Sequence, residues 1–90
     1  MSYEEEIEEL REDINHINQE IIGALARRVE AAKKIGSVKD RHGYPVVDKS
    51  REEKVYKQVK RVGAEHGLDE QSIERIFREI IKLCTQAQVE

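Results

Sequence analysis

The stretch from Ile7 to Lys39 contains no proline and only two glycines, Gly23 and Gly36. Apolar residues recur along it in steps of three and four, at Ile7, Leu10, Ile14, Ile17, Ile21, Leu25, Val29, Ala32 and Ile35. This spacing keeps one face of an α-helix apolar. The helix would be about 50 Å long, whereas a compact chain of this size has a radius of gyration of about 12–13 Å. Its own chain cannot cover most of that face, which predicts a partner, most simply a second copy.

Two cations lie on the same apolar face. Arg28 lies about 20° around the helix from Ile21, and Lys39 lies about 20° from Arg28. An unpaired charge on such a face is costly, so either the long side chains reach back to water or an anionic ligand pairs with them. Arg11 lies about 25 Å from Arg28 along the axis and about 100° around it. Arg11 therefore cannot share a small pocket with Arg28 of the same chain, and any site that it serves lies across a dimer interface.

Length, charge and cysteine content limit the classes of protein. Ninety residues predict a single domain over 1–90. A single cysteine, Cys84, excludes an intramolecular disulfide and fits a reducing compartment. The acidic start shows no signal segment, and no apolar run is long enough to span a membrane, so we expect a cytoplasmic protein. A net charge of −3 gives no indication of a nucleic-acid or membrane partner.

The remaining chain predicts two further helices, and hence an all-α fold. The first helix is expected at about 4–40 and is followed by a loop at 41–48 that contains Gly43 and Pro45. The second is expected at about 49–65, with Asp48 or Ser50 as its N-cap. The third is expected at about 70–88, after Gly67 and the N-cap Asp69. With one phenylalanine in the chain, we expect a core made mostly of Ile and Val.

Polar residues interrupt the apolar faces of the later helices as well. Glu52 lies about 20° from Val59, and Gln88 continues the register of Cys84. Glu52 can be explained by a structural ion pair, and Gln88 by a fraying helix end. Together with the inward cations, and with Asp48 and Arg51 at the second helix start, they instead indicate a ligand with two carboxylates and a hydroxyl.

The sequence lacks the residue patterns that several kinds of catalysis need. The three histidines show no metal-ligand spacing, and no Ser-His-Asp arrangement or glycine-rich phosphate loop is evident. Cys84 on an apolar stripe is more often inert core than a nucleophile. We therefore expect no metal and no cofactor, and a site that binds, orients and stabilises charge.

The residue pattern resembles the AroQ-type, all-helical chorismate mutases over almost the whole chain. The resemblance rests on Leu10-Arg11-Glu12-Asp13-Ile14 with Ile17, Ile21, Leu25 and Arg28, on Ile35-Gly36 with Lys39, on Pro45, Asp48 and Arg51-Glu52, and on Ile76-Phe77 with Ile80-Ile81 and Gln88. An Arg-Glu pair after a proline loop, preceded by Ile-Gly-x-x-Lys, is fairly specific in combination, whereas each part alone is weak.

The resemblance implies a monofunctional enzyme that rearranges chorismate to prephenate in phenylalanine and tyrosine biosynthesis. It implies an intertwined homodimer of three-helix chains in which Arg11 crosses to the partner's site. Arg28 and that Arg11 would hold the two carboxylates, Lys39 and Gln88 would face the ether oxygen, and Glu52 would bind the ring hydroxyl. Asp48 and Arg51 would assist Glu52, and Cys84 would lie near a carboxylate.

Some residues depart from the family pattern. Asn15 and Asn18 stand where aspartates are common, and Cys84 stands where a serine is common. Gln88 stands where some relatives have glutamate, and because an amide is neutral we expect activity near neutral pH without an acid optimum. Two alternatives remain open, an isochorismate pyruvate lyase of the same fold and a non-catalytic helical dimer that binds partners through its first helix.

Overall fold

A computed structural model describes residues 1–89, which form three α-helices joined by two short connections. Helix α1 spans Tyr3–His42, α2 spans Lys49–Glu65 and α3 spans Glu70–Val89. No strand occurs within the described residues. The prediction of an all-α, three-helix fold is therefore confirmed.

Helix α1 begins and ends at residues whose backbone chemistry favours those positions. The Ser2 hydroxyl accepts a hydrogen bond from the Glu5 backbone N–H at 3.2 Å and caps the first turn. Gly43 adopts a left-handed conformation with φ of 73°, which residues other than glycine rarely adopt. The helix continues through Arg41 and His42, two residues past the expected end, because Gly43 is the first residue there that suits a left-handed cap.

The second and third helices start at aspartate caps. The Asp48 carboxylate accepts the backbone N–H of Arg51 at 3.0 Å, so Asp48 and not Ser50 caps α2. Asp69 accepts the backbone N–H of Ser72 at 2.9 Å and its hydroxyl at 2.7 Å. These hydrogen bonds lower the pKa of the Asp69 carboxyl. The caps fix where each helix begins and so which face of α2 packs against α3.

Helix α3 packs against both other helices. The side chains buried at these contacts are mostly small, and Tyr56 is the one large side chain among them. They are Ala32, Val55, Tyr56, Cys84 and Ala87. The expectation of a core made mostly of Ile and Val is wrong for the single chain, because most isoleucines of α1, and Ile76 of α3, are exposed on faces that no other element of the chain covers. Small residues let the helices pack closely together, without large side chains that interlock between them.

A charged cluster outside the core joins α2 to α3. Glu74 on α3 accepts from Lys60 Nζ on α2 at 2.9 Å and from Arg78 Nη2 at 2.8 Å. The hydrogen bond from Lys60, followed by that from Arg78, lowers the pKa of the Glu74 carboxyl, and the bond with Glu74 raises the pKa of Arg78. The Arg78 guanidinium also lies 4.6 Å from the ring centroid of Tyr56, so one cluster ties the two helices together.

The chain is elongated because α1 extends well beyond α2 and α3. Its extents are 61 × 25 × 15 Å and its radius of gyration is 17.2 Å, compared with about 12 Å for a compact chain of this length. Apolar residues in the N-terminal half of α1 are 51–58% exposed, at Leu10, Ile14, Ile17 and Ile21. Within residues 1–89, no helix has both the length and the apolarity needed to cross a lipid bilayer.

Candidate active site

A partly enclosed cavity of about 390 Å³ lies where the C-terminal half of α1, the start of α2 and the last turns of α3 meet. Seven of the eight predicted site residues line this cavity: Arg28, Lys39, Asp48, Arg51, Glu52, Cys84 and Gln88. The eighth, Arg11, does not. The structure thus brings together side chains that are up to 60 positions apart in sequence, from Arg28 to Gln88.

Arg28 enters the cavity from α1 and contacts α3. Its Nη1 donates a hydrogen bond to Cys84 Sγ at 2.9 Å. Cys84 is 4% exposed, so the thiol forms part of the wall and accepts one of the five guanidinium N–H groups. This contact fixes the orientation of the guanidinium, and the fork keeps other N–H groups for a carboxylate ligand.

Lys39 lies one helical turn short of the loop and folds back toward it. Its Nζ donates to the backbone carbonyl of Val46 at 2.7 Å, and the side chain is part-buried. The carbonyl restrains the ammonium at the cavity wall without neutralising its charge. An ammonium has three N–H donors, so two remain after this hydrogen bond.

Gln88 brings an amide into the cavity from the last described turn of α3. Its Oε1 is buried and has no hydrogen-bond partner within residues 1–89. A buried, unpaired polar atom costs about 1–3 kcal/mol, so a ligand that pairs with the amide recovers that cost. A turn of the amide by 180° would present its two N–H donors instead.

The start of α2 contributes an acidic and a basic group to the cavity. The capping role of Asp48 occupies one carboxylate oxygen and sets the direction of the first turn. That turn places Arg51 and Glu52 at the cavity, with Glu52 half-buried. Across residues 1–89, no lysine or arginine lies within ion-pair distance of Glu52, so the structural ion pair considered from the sequence does not form in this chain.

The cavity is predominantly cationic. Arg28, Lys39 and Arg51 face it against the carboxylates of Asp48 and Glu52, and the described residues offer none of these cations a salt bridge. An anionic ligand would therefore gain more from the two most enclosed cations than it would lose to the acidic side. Within residues 1–89, no group of three metal-binding side chains lies close together.

Arg11 lies in the exposed N-terminal half of α1. The helix rise places it about 25 Å from Arg28 along the axis. Arg11 is not among the residues that line the cavity of its own chain. Its neighbours Leu10 and Ile14 belong to the uncovered apolar face.

Sequence reasoning missed two features of the cavity, the Thr85 side chain and the Val46 carbonyl. The Thr85 side chain lines it beside Gln88, and Thr85 lies four residues after Ile81 on the inward face of α3. That spacing was a usable signal for Thr85. The carbonyl of Val46 had no such signal, because a loop backbone group carries no side-chain pattern. The apolar walls come from Ala31, Ala32, Ile35, Val55 and Ile81.

These features define an all-helical protein with a predominantly cationic cavity between its three helices. A family model described as chorismate mutase type II matches residues 10–89. The chain belongs to this family. Its helical fold and inward cations are those that the sequence resemblance implied.

Individual relatives agree with this assignment. The chain is 31% identical over 78 residues to a chorismate mutase of Methanocaldococcus jannaschii, with 87% of this chain and 79% of the relative covered. It is 28% identical over 85 residues to a 4-amino-4-deoxychorismate mutase of Streptomyces venezuelae, with 93% and 82% covered. A solved structure, a conserved hypothetical protein from Pyrococcus furiosus, matches with a TM-score of 0.73 at 30% identity and covers 98% of this chain and 99% of that chain.

One relative is much longer than this chain. A bifunctional chorismate mutase/prephenate dehydratase of Aquifex aeolicus is 34% identical over 83 residues, which are 89% of this chain but only 23% of that protein. The chain thus spans about a quarter of it. The family and the relatives named as chorismate mutases support an enzyme of this class, an isomerase.

Proposed function

We propose that the chain rearranges chorismate to prephenate, and that the cavity between the three helices is its active site. The observation that carries the proposal is the set of unpaired cations and the unpaired Gln88 amide in one cavity. The reaction is intramolecular: the ether C–O bond breaks while a C–C bond forms, and no proton, electron or group leaves the substrate. A site for it must therefore hold one conformer and stabilise charge, and it needs no nucleophile.

The carboxylates of chorismate are the groups that the arginines would bind. Arg28, held by Cys84, would bind one carboxylate through the free side of its fork. The partner's Arg11 would bind the other. Holding both carboxylates selects the compact, chair-like conformer in which the two carbons that join lie close together, and such orientation can supply several kcal/mol of the barrier.

The ether oxygen gains negative charge as the C–O bond breaks. Lys39, restrained by the Val46 carbonyl, and the Gln88 amide would donate to this oxygen. Because both groups are placed before the substrate arrives, they stabilise the transition state without reorganisation. Glu52 would accept from the ring hydroxyl, with the backbone or side chain around Asp48 and Arg51 assisting.

The assembly that completes the site would be a homodimer. A single chain leaves the apolar face of α1 exposed at Leu10, Ile14, Ile17 and Ile21. A second copy would cover this face and bring Arg11 to the neighbouring cavity, and a symmetric pair would form two equivalent sites. The substrate and the single free thiol, Cys84, fit an enzyme of the cytoplasm.

The first test is the loss of chorismate by ultraviolet absorbance, with the product identified by NMR. We expect prephenate from the wild type and near silence from Arg28→Ala. Arg27→Ala is the matched control, because Arg27 is the exposed neighbour on the same helix and does not line the cavity. Equal activity of the two variants would overturn the role of Arg28.

Separate substrates distinguish the competing functions. Release of pyruvate from isochorismate without turnover of chorismate would identify the lyase, and turnover of 4-amino-4-deoxychorismate alone would identify the reaction named for the Streptomyces relative. If no substrate reacts and a dicarboxylate ligand gives no thermal shift, the chain is a non-catalytic dimer. A ligand at 100 times its dissociation constant should add about 2.7 kcal/mol of stability.

A mixing experiment tests whether Arg11 acts across the interface. Arg11→Ala and Arg28→Ala should each be nearly inactive alone. After they are mixed, unfolded and refolded together, half of the dimers carry both variants, and each mixed dimer has one intact site. We expect about a quarter of the wild-type activity to return for a symmetric dimer that pairs at random. No recovery would show that Arg11 does not serve the partner's site.

A further inference from the structure

Gly36 lies where α1 packs tightly against α3. A Cβ atom built on Gly36 would lie 3.0 Å from Gln88 Cβ, 3.0 Å from the Gln88 carbonyl oxygen and 3.1 Å from Gln88 Cα. Gly36 is buried, and the oxygen and Cα are backbone atoms that no rotamer change can move. Any side chain at position 36 therefore requires the two backbones to separate by a few tenths of an ångström.

The groups on either side of this contact are the two that face the ether oxygen in the proposed reaction. Lys39 follows Gly36 by three residues and lies on the same side of α1. Gln88 is itself the residue that Gly36 contacts, and its buried Oε1 has no partner within the described residues. The distance between the helix backbones at Gly36 thus sets the distance between an ammonium and an amide in one cavity.

We propose that Gly36 is a positioning residue of the mutase reaction: its missing side chain sets the spacing between Lys39 and Gln88. The inference rests on the proposed function, because the spacing matters only if both groups act on one oxygen. Relief of the overlap in Gly36→Ala must move the backbone of the residue that carries the amide. Misplacement of reacting groups by about 1 Å can cost about 100-fold in rate, so a shift of a few tenths is already costly.

A second buried glycine provides a matched control. Gly63 on α2 lies against α3, where a Cβ would lie 2.9 Å from Ile73 Cγ1. The overlap there is with side-chain atoms and not with the backbone of α3, and neither Gly63 nor Ile73 lines the cavity. Gly63→Ala thus introduces the same methyl group at a comparably tight helix contact, away from Lys39 and Gln88.

The experiment compares kcat, KM and the melting temperature of both variants with the wild type, using chorismate as substrate. We expect Gly36→Ala to lose at least about tenfold in kcat with a smaller change in KM, because the transition state uses the spacing more than the ground state does. We expect Gly63→Ala to lower the melting temperature while its kcat stays within about threefold of the wild type. Equal kcat losses in the two variants would overturn the positioning role.

A double-mutant cycle with Gln88→Ala tests whether Gly36 acts through the amide. Gln88→Ala keeps the Cβ, Cα and carbonyl oxygen that meet the new methyl group, so the overlap persists while the amide is gone. We expect Gly36→Ala to lower kcat much less in the Gln88→Ala background than in the wild type, because residues that act as a unit are not additive. Losses that simply multiply would overturn the inference.

Folding and function failures give different results. Activities are normalised to the folded fraction, measured by circular dichroism at 10 and 25 °C. If Gly36→Ala is unfolded at both temperatures, Gly36 is needed for the fold alone, and the positioning role is overturned. A wild type that makes no prephenate refutes the proposed function, whereas an active wild type with a fully active Gly36→Ala refutes only the inference.

Discussion

Removal of the Lys39 ammonium is the sharpest perturbation that the site offers. Lys39 Nζ donates to the Val46 carbonyl at 2.7 Å, and Lys39 lines the same cavity as Gln88. Loss of one preorganised donor to a developing oxyanion costs about 2.7–4 kcal/mol, which is about 100- to 1,000-fold in kcat. We therefore expect Lys39→Ala to lose turnover in that range.

The same substitution has a smaller effect on the fold. It leaves the part-buried Val46 carbonyl without its hydrogen bond, whose net contribution to stability is about 0.5–1.5 kcal/mol. One kcal/mol lowers the melting temperature of a domain of this size by about 4–8 °C. Lys39→Met keeps the aliphatic stem in place and should match Lys39→Ala in kcat, which separates loss of the charge from loss of packing.

Arg51→Ala is the comparison that makes this test decisive. Arg51 also lines the cavity, but it is exposed. In the proposed binding mode it assists Glu52 at the ring hydroxyl, away from the breaking bond. We expect its kcat loss to be below about tenfold, because solvent screens the interactions of an exposed charge. Chorismate consumption at saturating substrate measures both variants. Equal, mild losses for Lys39→Ala and Arg51→Ala would refute the role given to Lys39.

Three further predictions follow from charges and exposed faces. The neutral Gln88 amide should give the wild type no sharp optimum below pH 6, whereas Gln88→Glu should gain activity as the pH falls, because a carboxyl donates only when protonated. The pKa of Glu74 is lowered in the folded chain mainly by Lys60, so its stabilisation is present above the ordinary glutamate range and is lost as the pH falls through the folded pKa. Calorimetry between about pH 5 and 3 should therefore show a shallower decline for Glu74→Gln than for the wild type, and parallel curves would contradict this. If the chain forms the proposed dimer, Ile17→Asp should convert it to monomers in sedimentation experiments, and an unchanged dimer would show that this face is not the interface.

Helical periodicity in the sequence predicts most of the fold and much of the site. The spacing of apolar residues predicts three helices, and the same angular arithmetic places Arg28, Lys39, Glu52 and Gln88 on inward faces. All four line one cavity. The arithmetic succeeded because a straight helix fixes side-chain direction from residue number alone, without knowledge of its neighbours.

Periodicity does not predict the contacts between one helix or loop and another. The hydrogen bond from Arg28 to Cys84 depends on how α1 crosses α3, and the bond from Lys39 to the Val46 carbonyl depends on how the loop turns. Neither geometry is encoded in a periodic pattern. The core was misjudged for a related reason: hydrophobicity alone does not show whether Ile17 faces its own chain or a partner.

The two halves of α1 have different roles, and this division links the fold to catalysis. The C-terminal half packs on α3 through Ala32 and Gly36 and carries two of the cations of its own cavity. The N-terminal half has no cover within the described chain and carries Arg11. A dianionic substrate needs a cation for each carboxylate, and the proposed dimer supplies the second from the exposed half. In the proposed dimer, burial of the apolar face and completion of the active site would be the same event, so the length of α1 would make dimerisation a condition for catalysis.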